Sequence, residues 1–267
     1  MPDRRSGLPG RSGLLGFVAL GLIAGCGHRP KTVYAPPPPV LLPASPSNTA
    51  PNSGAPSIAS NAPIAPATAN PGVTSAADLA FVAGHTPVWS ETGIASWYGP
   101  PYNKRRGANG QIFDQDAMTA AHRTLPMNSL IRVTNLKTGQ QAVLHVTDRG
   151  PFVPGRVLDL SMASAKALNL YVAGTGTVRI DVFAVPAPIE TGGRWCVQIG
   201  AFKDEGQADK LRTHLSHKYQ SANVIEFAGP TGHWVRIRPF RDDKDRAVEI
   251  AKDLKPSEGE AYLVRLD

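Results

Sequence analysis

Between Pro30 and Pro71 the chain carries 12 of its 25 prolines, set among Ala, Ser, Asn and Thr with almost no charge and few large apolar groups. Such a stretch cannot bury enough apolar surface to offset the entropy of ordering it. Residues 26–90 are therefore expected to form a tether, partly in polyproline II. About 60 residues of this kind reach roughly 45 Å as a random coil and roughly 190 Å when extended. The rest of a 267-residue chain has room for one large or two small domains.

Ahead of the tether, Arg4, Arg5 and Arg11 precede an apolar run from Leu14 to Gly25. The run is too short to span a bilayer comfortably, so residues 1–25 read as a secretory signal. Its exit, Leu22-Ile23-Ala24-Gly25-Cys26, resembles the bacterial lipobox. That resemblance implies cleavage before Cys26 and acylation of its thiol, which anchors the chain to a membrane. Gly27 stands where an inner-membrane retention signal carries Asp, which favours the outer membrane, facing the periplasm. An acylated Cys26 cannot pair, which leaves Cys196 a lone thiol. The net charge of +7 and pI of about 9.6 suit anionic partners. Export excludes nucleic acid and leaves a membrane surface or an acidic glycan.

The first folded segment is expected over residues 91–186. Ile94–Tyr98, Leu130–Thr134, Gln141–Thr147, Val157–Leu160 and Thr177–Val185 read as strands, with Asn135–Gly139 as a turn. Ser161 is a plausible N-cap for a helix over Met162–Leu168. Several short strands with one helix fit a small closed barrel. Residues 187–192 read as a linker. Residues 193–267 read β-α-β-β-α-β: strands Trp195–Phe202, Asn223–Phe227, Trp234–Phe240 and Tyr262–Leu266, helices Asp204–Lys218 and Asp242–Leu254. This predicts a ferredoxin-like domain with both helices on one sheet face.

The chemistry concentrates in Thr147-Asp148-Arg149-Gly150-Pro151-Phe152, where a Gly-Pro turn ends an apolar strand and leaves a carboxylate at the rim. A turn-forming Asp is the structural alternative. Gly93–Gly99, Ala108–His122 and Asp148–Phe152 with Asp159-Leu160-Ser161 resemble the rare lipoprotein A family of lytic transglycosylases, whose fold is a double-psi β-barrel. The resemblance implies a carbon–oxygen lyase that cuts the MurNAc–GlcNAc bond of peptidoglycan and leaves 1,6-anhydro-MurNAc ends. It places the catalytic acid, then base, on Asp148, and a supporting role on His122, which could orient substrate or hydrogen-bond the carboxylate. It also puts Gln111 where the family has glutamate. Glutamine keeps shape and hydrogen bonding but supplies neither a charge nor like-charge repulsion on Asp148. Two readings follow: an active enzyme that tolerates Gln111, or a weak or inactive glycan-binding lipoprotein. Tyr98, Asn109 and Arg149 are expected to contact sugar. Metal chemistry is the weaker alternative: His145 and Asp148 should point to opposite strand faces, and His214 with His217 lacks a third ligand. No metal or cofactor is expected.

Val197–Phe202 and Trp234–Phe240 resemble a SPOR domain. That resemblance implies recognition of glycan strands stripped of stem peptides, and enrichment at the division septum beside divisome proteins. By strand parity, Val197, Ile199, Val235 and Ile237 should face the helices. Cys196, Gln198, Gly200, Trp234, Arg236 and Arg238, with Leu263 and Arg265, should form an open face. An exposed Trp234 beside Arg236 and Gln198 suits sugar stacking and anion binding.

Overall fold

The computed structural model describes residues 74–100, 102–229, 232–254 and 260–267. The signal segment, Cys26 and most of the tether lie outside the described residues.

Residues 26–90 were expected to be tether throughout, yet their last part folds. Helix α1 (Ala76–Gly84) starts at a capping box in which Ser75 and Asp78 exchange hydrogen bonds. Val82 packs on Leu130, Val143, Phe183 and Ala184, and Asp78 Oδ2 lies 3.2 Å from His145 Nε2. The short helix is held by tertiary burial, which a proline-dominated composition hides.

Six strands follow: β1 (Trp89–Trp97), β2 (Thr119–Ala121), β3 (Leu130–Asn135), β4 (Gln141–Asp148), β5 (Arg156–Leu160) and β6 (Thr175–Ala184). They close in the order β1-β5-β2-β4-β3-β6, with β6 returning antiparallel to β1. The expected closed barrel is this one. Two pairs, β1·β5 and β2·β4, run parallel. Ile131, Val133, Leu144, Val146, Val178, Ile180 and Val182 fill the interior in period-two alternation. In β4 the outward residues Val143 and His145 are also buried, because α1 covers them. Ser161 caps α2 (Met162–Ala167) by accepting from Ser164 N at 3.1 Å. Strand β2 was not anticipated, since three residues are too few to show a period.

The second domain carries β7 (Trp195–Phe202), α3 (Glu205–Lys218), β8 (Asn223–Gly229), β9 (Gly232–Arg238), α4 (Lys244–Asp253) and β10 (Ala261–Arg265). Its sheet order is β10-β7-β9-β8, all antiparallel. Val197, Ile199, Val235 and Ile237 pack on Ala208 and Leu215 of α3 and Ala247 and Ile250 of α4, as parity predicts. Strand β10 is one residue out of the expected phase. Tyr262 pairs with Gln198 and Val264 with Cys196, so Leu263 turns to the helices.

The supposedly open sheet face is covered. Cys196, Trp234, Tyr262 and Val264 form one cluster with Phe152 of the barrel. Phe152 meets Trp234 and Tyr262 edge-on, with ring centroids 5.4 and 5.5 Å apart. Gln198, Trp234 and Arg236 are buried on this face, which corrects their expected exposure; Arg265 is buried as well, but on the helix side beside Trp195, by the same phase shift that turns Leu263. The physical reason is the apolar content of the face, which is buried against the Gly-Pro-Phe turn of a neighbour that a domain-by-domain reading leaves out.

Candidate active site

Asp148 ends β4 and is 7% exposed. Its Oδ1 accepts from Ala108 N at 2.9 Å and from its neighbour Arg149 N at 2.8 Å. Burial pushes its carboxyl up to about 6, against the pull of those two N–H groups and of the Arg149 charge. A carboxyl in this range is part acid and part base at neutral pH.

The N–H of Ala108 comes from a loop tied back on itself. Gly107 N donates to Gln111 O at 2.7 Å, and Arg106 bridges Ile112. Asn109 holds Gln111 at both ends: its Oδ1 accepts from Gln111 N at 2.9 Å and its Nδ2 donates to Gln111 Oε1 at 3.0 Å. Asn109 N in turn reaches Thr147 O at 3.3 Å. Gln111 thus lies exposed at the rim, on the loop whose backbone grips Asp148. The same rim presents exposed Lys104, Arg105 and Arg106, and Ile112.

His122 is joined to Asp148 through the main chain, His122 N donating to Asp148 O at 3.1 Å. Its side chain is committed elsewhere. Nδ1 accepts from Thr124 N and Leu125 N at 3.2 and 3.0 Å, so in the neutral ring the proton sits on Nε2. Nε2 faces Glu91 Oε2 at 3.1 Å. Burial lowers the His122 pKa and Glu91 opposes this, which favours the neutral ring. The ring therefore orients on Glu91 and not on the Asp148 carboxylate.

Two residues expected at the sugar are internal. Tyr98 is buried, stacked on Phe113 at 4.5 Å, with its hydroxyl unpartnered. Arg149 donates to His122 O, Leu125 O and Asp267 O at 3.0, 2.7 and 2.6 Å. Burial, and then Arg265, bring its pKa down to about 9. Its guanidinium ties β4 to the last residues of the chain. His145 is buried on Asp78, away from Asp148.

Sequence reasoning missed Glu91 and gave Asp159 no role. Asp159 carried a signal, an acid enclosed by Leu158 and Leu160 in an apolar strand. Glu91 carried none beyond its place before the Gly93–Gly99 block.

Residues 90–180 match the family model described as Lytic transglycolase, and residues 191–265 match the SPOR domain model. Fold and matches together define a double-psi β-barrel of the lytic transglycolase class joined to a SPOR domain. Proteins named endolytic peptidoglycan transglycosylase RlpA are similar to it. The Campylobacter jejuni protein is 38% identical, over 60% of this chain and 66% of its own length. The Vibrio cholerae protein is 35% identical, over 58% and 61%. The Neisseria meningitidis protein is 38% identical, over 60% and 70%. The chain belongs to the rare lipoprotein A family. It spans less than two thirds of the length of the Campylobacter and Vibrio relatives. Among solved structures, a Streptomyces papain inhibitor aligns with a TM-score of 0.30 and 19% identity, over 36% of this chain and 96% of that one.

Proposed function

We propose that this chain is a lytic transglycosylase of the cell envelope, cutting MurNAc–GlcNAc bonds in glycan strands that lack stem peptides. The observation that carries this reading is the buried carboxyl of Asp148, raised to about 6 and gripped by the loop that presents Gln111. In its acid form Asp148 gives a proton to the glycosidic oxygen as the C1–O bond breaks. The resulting carboxylate takes the proton of the MurNAc C6 hydroxyl as O6 bonds to C1. The proton returns to Asp148, no water is consumed, and the product end is 1,6-anhydro-MurNAc. Burial lifts Asp148 most, with the charge of Asp159 adding to it, so a glutamate at 111 is not needed for that purpose. The exposed cations Lys104, Arg105 and Arg106 suit the lactyl carboxylate of MurNAc.

The pH dependence has a defined sign. The acid form is required, so kcat on glycan strands falls as pH rises through about 6. A profile flat from pH 5 to 8 would contradict Asp148 as the acid.

The SPOR sheet face is a glycan-binding face that parts from Phe152 before it binds. Support comes from Gln198 Nε2 and Trp234 Nε1, both buried with no hydrogen-bond partner. Each such group costs about 1–3 kcal/mol, and sugar hydroxyls would satisfy both once the face opens. Phe152→Ala should then raise the affinity of the chain for peptide-free strands several-fold in co-sedimentation; unchanged or weaker binding would contradict the reading. Acylation of Cys26, outer-membrane anchoring and septal enrichment complete the proposal, with septal proteins as further partners.

The second reading, glycan binding without turnover, rests on Gln111 standing at the family's glutamate position. The test incubates the mature chain with peptide-free strands and weighs the ends by mass spectrometry. Anhydro ends from the native chain support the enzyme. Ends that form only with Gln111→Glu support the binding protein.

A further inference from the structure

Asp159 lies in β5, 1% exposed. A lone ionised carboxylate at that depth is strongly disfavoured unless paired. Register explains its company. Ala121 of β2 pairs with Asp148 of β4 on one side and with Asp159 of β5 on the other, and Asp159 pairs with Ser96 of β1. One row across four neighbouring strands thus carries both aspartates, one strand apart, at roughly 10 Å between Cα atoms.

Their partners differ in kind. Asp159 Oδ1 accepts the Ser96 hydroxyl, and Oδ2 lies 3.7 Å from Arg156 Nη2 with no hydrogen bond. Burial raises the Asp159 pKa above the ordinary carboxylate value, and Arg156, the Ser96 hydroxyl and the more distant Arg123 pull against it. Asp148 has two backbone N–H groups, while the guanidinium beside it is committed to carbonyls. The charged groups acting on Asp148 are Arg149 and Asp159; those acting on Asp159 are Arg156 and Arg123. The unpartnered Tyr98 hydroxyl feels both acids.

We propose that Asp159 is a positioning residue for the reaction: its carboxylate, supported against burial by Arg156, Ser96 and Arg123, adds to the burial that keeps Asp148 in its acid form, acting from across β2. It supplies from inside the barrel the negative charge that Gln111 does not supply at the rim. It is too deeply buried to touch substrate, so it acts through Asp148 alone. This rests on the transglycosylase reading for its purpose, though not for its measurement.

The test is a carboxyl ¹³C NMR titration of the mature chain, with the Asp148 resonance assigned by its loss in Asp148→Asn. In Asp159→Asn the Asp148 midpoint should move to lower pH, and the descending limb of the activity profile should move with it. At pH 7 turnover should fall about tenfold for each unit of movement. Ser96→Ala keeps the carboxylate but removes its hydroxyl partner; it should move the midpoint the same way by less, and stands in should Asp159→Asn fail to fold. An unmoved midpoint in both variants, even with activity lost, would overturn the proposal and leave Asp159 a structural residue. A moved midpoint in a chain that makes no anhydro ends would sustain the coupling and overturn the transglycosylase reading.

Discussion

Asp148→Asn should lower turnover of peptide-free glycan strands by about 10²–10⁴-fold while the protein becomes more stable at neutral pH. The loss follows because Asn can neither give nor take the proton. The gain follows from burial. Asparagine keeps an oxygen for Ala108 N and Arg149 N, the two donors that Asp148 now satisfies. Asp148 has a folded pKa of about 6 and an ordinary unfolded one. The unfolded chain therefore ionises first as pH rises, and folding stability drops between about pH 4 and pH 6, then stays level. The penalty above pH 6 is on the order of 2–3 kcal/mol, and Asn avoids it. Chemical denaturation at pH 5 and pH 8 checks this: the variant's advantage should be larger at pH 8. Equal stability at both pH values, or full activity, would refute Asp148 as a buried acid.

Trp234 is the second large effect. It is fully buried between its own sheet and Phe152, so Trp234→Ala should destabilise the second domain by about 3–5 kcal/mol. Trp234→Phe separates packing from recognition. It retains a ring against Phe152 and removes the unpartnered indole N–H, so stability should be close to native. Binding of peptide-free strands should nonetheless weaken, because the donor and the wider stacking surface are gone. Native-like binding in Trp234→Phe together with native stability would place the glycan contact elsewhere.

Both domains were legible because their strands carry period-two patterns that survive folding. β7 matches its expected bounds residue for residue, and the helix-facing set Val197, Ile199, Val235 and Ile237 follows from parity alone. Phase failed where the pattern is short and two-sided: in β10, Tyr262, Leu263 and Val264 are all apolar, and only pairing with β7 decides which faces the helices. Helix α1 was masked because its stability lies in Val82 and the Asp78–His145 contact, both tertiary. The covered sheet face could not be read from either domain alone. In the site, Asp148 was visible from its turn, whereas Glu91 and Asp159 gain their partners, His122 and Ser96, only through strand pairing and loop closure.

The central claim is a cut made without water, and it is tested by running the reaction of the mature chain in ¹⁸O-labelled water and weighing the new glycan ends. The new ends should be 1,6-anhydro-MurNAc with no ¹⁸O, and absent in Asp148→Asn. Ends carrying one ¹⁸O would make the protein a hydrolase, and no ends at all would make it a glycan-binding protein; either result would contradict the account.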